Sequence, residues 1–135
     1  MRTKLGMLAA GFGVFCLTAP VAAHHGFDTE YDANKKFTFT GVVQKVEWQN
    51  PHMRVYVDVT DASGKVTTWN MEMTSPNTVR RQGWGPNDLL PGEKVTFTTF
   101  GGKVIETRGS LVSIKKVSDG RELFVAGGPD ASVPK

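Results

Sequence analysis

Met53, Val55, Val57 and Val59 alternate with Arg54, Tyr56 and Asp58. Thr67, Trp69, Met71 and Met73 then alternate with Val66, Thr68, Asn70 and Glu72. A period of two puts successive side chains on opposite faces, so each run reads as a half-buried strand. Asp61-Ala62-Ser63-Gly64 between them is a tight turn, and the two strands return on each other as a hairpin. One face of this hairpin is apolar and must be covered by more sheet. The flanking sequence offers it.

Phe37 to Trp48 is the strand before the hairpin. Phe37 and Phe39 share one parity, while Val42, Val46 and Trp48 share the other. The change falls at Gly41, where a bulge or sharp coil is expected. Asn50-Pro51 is a turn signal, and His52 follows it. After the hairpin, Ser75 is placed to cap a short helix, Pro76 suits its first position and Gly83 ends it. Trp84 then plugs the core. Lys94 to Phe100 is a fourth strand. Gly101-Gly102 reads as a flexible joint, and Lys103 to Arg108 with Leu111 to Val117 as a last strand region broken at Gly109. Asp119-Gly120 turns the chain into a brief return over Glu122 to Val125. The order strand, strand, strand, helix, strand, strand predicts an all-β fold, a small five-stranded barrel like the oligonucleotide/oligosaccharide-binding (OB) barrel, with its helix between strands three and four. The same strands are too few for a seven-stranded sandwich.

The barrel accounts for residues 37–125. Before it, Arg2 and Lys4 precede an apolar run from Leu5 to Leu17, too short to span a bilayer comfortably. Thr18-Ala19-Pro20 breaks the run, and Val21-Ala22-Ala23 places small residues before a cut. Residues 1–23 therefore read as a bacterial signal peptide, with a retained anchor as the alternative. The expected destination is the periplasm or the medium, with His24 as the new terminus and no membrane anchor after cleavage. Cys16 follows the bulky Phe15, which does not suit lipid attachment. Residues 24–36 read as an arm with a helical turn at most, pinned across the domain by Phe27 and Tyr31. Residues 126–135, rich in Gly, Pro and small side chains, read as a disordered tail.

Cleavage would remove two cations and the only cysteine. The remaining 112 residues carry 14 Lys and Arg against 13 Asp and Glu, so the basic balance of the whole chain is partly the signal's and gives no argument for nucleic acid. No thiol remains as nucleophile or ligand, and one hydrophobic core must stabilise the domain. A monomer is expected. No Gly-x-Ser-x-Gly elbow or phosphate-cradling loop is present. Asp28, Glu30 and Asp32 sit in the arm, which suits solvation better than a glycosidase pair.

A run of short motifs follows along the chain, without internal repeats: His24-His25-Gly26-Phe27, Glu30-Tyr31-Asp32, Gly41-x-Val43-x-x-Val46-x-Trp48-x-Asn50-Pro51-His52, Glu72-x-x-Ser75-Pro76-Asn77, Arg80-Arg81-x-Gly83-Trp84, Leu90-Pro91-Gly92-Glu93-x-Val95 and Gly120-Arg121-x-Leu123-Phe124. With these the chain, over roughly 24–125, resembles a family of small exported bacterial proteins, domain of unknown function 6152. The resemblance implies export and no particular activity. Gly26 stands where that family usually has Ser, and Met53, Met71 and Met73 are more sulfur than is usual there.

The chain has three histidines, two of them at the expected cut. Cleavage before His24 frees an α-amine with a pKa of about 7.7–8.0. That amine and the His24 imidazole form a chelate, and His52 would add a second imidazole, a three-nitrogen set suited to Cu(II) and known as a histidine brace. His25 or Glu72 would complete it, with copper the first cofactor expected and zinc the second. The plainer readings are a solvated terminus, a His52 that bonds its own turn, and a solvent-facing Glu72. Met53, Met71 and Met73 offer thioethers to Cu(I), but Met71 and Met73 share Trp69's parity and read as core. Arg54, Tyr56, Arg80, Arg81 and Trp84 form a third candidate, a cationic and aromatic face for a protein partner, an anionic glycan or a lipid headgroup. Against it stands a solvated helix with Trp84 in the core. The expected function is a binding or accessory module. The rival readings are a metal-free interaction module and a copper-dependent redox enzyme.

Overall fold

The computed structural model describes residues 22–125. The expected signal peptide up to residue 21 and the expected tail at 126–135 lie outside the described residues, as do the side chains of His24 and His25. The elements are α1 (Ala22–Glu30), β1 (Tyr31–Glu47), β2 (Arg54–Thr60), β3 (Val66–Glu72), α2 (Pro76–Arg81), β4 (Lys94–Gly102), β5 (Arg108–Lys116) and β6 (Glu122–Phe124). No helix among them is long and apolar enough to cross a membrane.

Five of the six strands form a ring in the order β1-β2-β3-β5-β4, returning to β1. Every neighbouring pair is antiparallel except β3 and β5, which are parallel. With α2 between β3 and β4, this is the expected all-β, OB-like barrel, and β6 extends it beside β5. Closure is slight: Asn70, Met71 and Glu72 meet Arg108, Gly109 and Ser110. Inside lies one apolar cluster that includes Val55, Val57, Met71, Val95, Phe97, Leu111 and Ile114, all fully buried. Trp84 and Leu89 close one part of it, while Phe37 and Phe39, both half-buried, pack tilted against Trp69 at ring distances of 5.4 and 5.3 Å.

Four local expectations need correction. Residues 24–36 are not a loose arm: α1 runs for nine residues, and β1 begins at Tyr31, six before Phe37. The arm is nonetheless pinned as expected, since Phe27 packs on Tyr31 and edge-on to Phe100.

The change of parity in β1 lies at Gln44, not Gly41. Val43 pairs with Val57 and Lys45 with Tyr56, which leaves Gln44 as the extra residue of a bulge. Phe37, Phe39, Gly41 and Val43 keep one parity, Val46 faces the core after the bulge, and Val42 is 42% exposed. Gly41 has a different task. It sits where β1 leaves β4 for β2, and a Cβ there would run into the carbonyl oxygen of Asp58.

Gly101-Gly102 is the buried end of β4 rather than a flexible joint. The strand expected from Lys103 is instead the turn between β4 and β5, and β5 runs unbroken through Gly109. Glycine is required there by close approach, because a Cβ would meet the Thr99 hydroxyl and the Phe100 carbonyl.

Candidate functional site

Period two places Asn70 and Glu72 on the outer face of β3, opposite the buried Met71. Directly across on β2, Arg54 pairs with Glu72. Its guanidinium donates to Asn70 Oδ1 at 3.0 Å and to Glu72 Oε2 at 3.3 Å. His52 lies two residues before Arg54, after a cis Asn50-Pro51 bond. Between them, Met53 is buried, and its backbone extends the ladder to Thr74 and Met73 at 3.1 and 2.8 Å. With Met53 turned inward, His52 and Arg54 face outward together, and both reach the same carboxylate. His52 Nδ1 lies 2.5 Å from Glu72 Oε1.

The third partner comes from the start of β1. Tyr31, the first residue of β1, donates its hydroxyl to Glu72 Oε2 at 2.6 Å. Burial, with the hydrogen bond and charge of Glu72 adding to it, pushes the phenol well above its ordinary value. Tyr31 is therefore a neutral donor at any working pH. Glu72 thus binds a tyrosine from the start of β1 and a histidine and an arginine from the stretch that leads into β2.

This arrangement decides the chemistry of His52. A carboxylate only accepts, so Nδ1 must carry the proton. In the neutral ring Nε2 then holds a free lone pair, on a side chain that is 56% exposed. Glu72 was a candidate ligand in the sequence. Here both its oxygens are engaged, which makes it the group that orients His52. Among the described residues no group of three His, Cys, Asp or Glu side chains is arranged to hold a metal. Any further ligands beside His52 must come from elsewhere, and α1, which carries His24 and His25, ends at the residue before Tyr31.

The face expected from Arg54, Tyr56, Arg80, Arg81 and Trp84 is not one surface. Arg54 is committed to Glu72 and Asn70. Tyr56 lies under the Lys45 ammonium, 4.3 Å from the ring centroid, and donates to Glu47 at 3.3 Å. The Lys45 hydrogen bond holds the Glu47 carboxyl below its usual range. Trp84 is buried, with the Arg121 guanidinium 4.7 Å from its ring. Of these five residues only Arg80 and Arg81, both on α2, are exposed, with Arg80 5.7 Å from the half-buried Trp48 ring. Met53, Met71 and Met73 are all buried in the apolar cluster, so their thioethers fill the core instead of offering a Cu(I) site.

Tyr31 is the site residue that the sequence did not mark as one. In the sequence it is an aromatic pin, and nothing local points its hydroxyl to a partner 41 positions away. The residues that converge here belong to three separate motifs, around Tyr31, His52 and Glu72. A family model matches residues 11–111, well over half the chain. The chain belongs to the family of unknown function DUF6152. No curated protein and no solved structure matches it. The DUF6152 match includes α1, the His52 turn and all of β3, so it takes in every residue of the Glu72 cluster.

Proposed function

We propose that this is an exported accessory protein of the bacterial periplasm that binds one transition-metal ion, copper first and zinc second. The ligands are Nε2 of His52 with the amine and imidazole of His24, exposed by cleavage before that residue, and His25 in reserve. The observation that carries the reading is the Nδ1 contact of His52 with Glu72. Metal-binding histidines commonly donate their other ring nitrogen to a carboxylate, which fixes the tautomer and raises the basicity of the ligand. An exposed, oriented imidazole with a bare Nε2 is poised for that use. Nitrogen donors of this kind favour copper among the available divalent ions.

The test is a copper titration of protein purified after export, with its terminus read by mass spectrometry. A chain beginning at His24 should bind a single Cu(II) tightly, and one extra residue before His24 should abolish the tight site. Equal affinity in the two forms would exclude the terminal amine.

A metal-free reading is favoured by one observation, the Arg80 guanidinium against Trp48 beside an exposed Arg81. There the ligand would be an anionic glycan or a protein partner. Arg80→Ala with Arg81→Ala would then disrupt that interaction and leave copper binding unchanged.

A further inference from the structure

Helix α1 runs directly into Tyr31, and Tyr31 and His52 share the carboxylate of Glu72. The helix is seated by three anchors on the β4–β5 end of the barrel. Phe27 packs against Phe100 at 5.5 Å and Tyr31 at 5.4 Å. The Lys103 backbone N–H donates to the Glu30 carbonyl at 2.9 Å, and the Lys103 ammonium donates to the Asp28 carbonyl. A cation at the carbonyl end of a helix also meets the negative end of its dipole. The third anchor is Tyr31, the residue after the helix and the first of β1, which pairs with Gly102 of β4 and donates to Glu72 Oε2 at 2.6 Å. The opposite oxygen of Glu72 faces His52 Nδ1 at 2.5 Å.

A carboxylate whose two oxygens are held from opposite sides is fixed in one orientation. Releasing the tyrosine frees Glu72 to turn, and His52 then loses the acceptor that sets its tautomer. Arg54 limits this freedom only in part, since it binds the oxygen that Tyr31 binds, at the longer distance of 3.3 Å. Tyr31 is 7% exposed, so water does not readily replace its hydroxyl.

We propose that Tyr31 is a positioning residue which couples the seating of α1 to the orientation and tautomer of His52 through Glu72. The arm is ordered together with the imidazole that faces it through this carboxylate. By reciprocity, a ligand that holds Nε2 of His52 also holds α1 in place. The coupling stands on this geometry alone, whereas its use in regulating metal capture rests on the function proposed above.

The experiment uses the metal-free full chain with 15N-labelled histidine, under chelator and about 1.5 pH units above the ordinary imidazole value. The His52 signals are assigned by their loss in His52→Ala. The wild type should show protonated Nδ1 and bare Nε2. Tyr31→Phe removes only the hydroxyl; it should give mixed tautomers at His52 and raise amide exchange across 22–31 roughly tenfold. Phe27→Ala loosens the helix without touching Glu72 and should shift His52 in the same direction, which covers the case of a poorly folded Tyr31→Phe. A folded Tyr31→Phe with unchanged His52 tautomer and unchanged exchange overturns the coupling. So does Phe27→Ala if it speeds exchange in α1 and leaves His52 as it was. Neither readout involves a metal, so a copper titration that fails on protein cleaved to begin at His24 removes the metal reading and leaves the coupling standing.

Discussion

Nδ1 of His52 and Oε1 of Glu72 lie 2.5 Å apart, with the histidine more than half exposed and the glutamate largely covered. The exposure difference assigns their roles. Glu72 is held in place by Tyr31 and Arg54, and His52 presents its remaining nitrogen to solvent.

The two residues should therefore fail differently. His52→Ala should abolish tight Cu(II) binding, and Glu72→Gln should weaken it by roughly 10–100-fold, the usual effect of removing an orienting carboxylate. His52→Ala leaves Glu72 with two donors, so its Tm should move by no more than about 4 °C. Isothermal titration beside thermal melts checks both. A large fall in Tm with unchanged copper affinity would make His52 a structural residue.

Arg121 joins the β5–β6 turn to the segment after α2. Its guanidinium binds Asp88 Oδ1 at 2.7 Å and the Gly83 carbonyl at 3.2 Å, and it covers Trp84. The hydrogen bond from Arg121 holds the Asp88 carboxyl below its ordinary value. A carboxyl lowered in the folded state contributes stability that is present above its unfolded value and lost as pH falls through the folded one. Arg121→Ala should thus lower Tm near neutral pH, and the gap from wild type should narrow below about pH 4. The pair is exposed, so high salt should narrow the gap as well. Melting curves across pH and salt test this. A gap that persists in acid and in salt would assign the loss to packing on Trp84 instead.

Closure of the barrel rests on close approach at Gly109. A Cβ there meets the Thr99 hydroxyl, which itself bonds the Ser110 carbonyl at 2.9 Å inside the core. Gly109→Ala should cost about 1–3 kcal/mol as an overpacked site. Met71→Ala, at a fully buried position opposite Gly109 in the closing pair, should cost about 2–5 kcal/mol by leaving a cavity. Urea unfolding measures both. Neither should change copper affinity per folded molecule, because both act on the inner face.

The hairpin and the helix cap were legible because each is written locally. Alternation over 53–59 and 66–72 fixes which face is buried, and Ser75 accepts from the Thr78 N–H as its position before Pro76 implies. The order of elements was enough to find the barrel. Its closing pair was not legible, since three residues of β3 meet β5 across nearly forty positions without a local signal. Apolar character misplaces the bulge: Val42 shares the sequence parity of Val46 and Trp48 yet is exposed, and the parity changes at Gln44 rather than at Gly41. In the site, His52 and Glu72 stood out by residue type, but the carboxylate's role did not. It depends on Tyr31, which is distant in sequence and chemically unremarkable until its hydroxyl is placed.

Gln44 tests the corrected bulge directly. It is exposed, and its amide donates to the carboxylate of Asp58. Gln44→Ala should therefore cost little, within about 0.5 kcal/mol for a surface change. Deleting the residue is a different operation. It would turn one half of β1 over relative to the other, because side chains alternate with a period of two. Either Phe37, Phe39 and Val43 leave the core, or Val46 and Trp48 do. The second outcome would also move the turn that carries His52. The deletion should abolish the cooperative melt, whereas Gln44→Ala should retain it, as followed by circular dichroism. A deletion variant that still melts cooperatively near the wild-type Tm would show that β1 does not need the extra residue, and would return the parity change to Gly41.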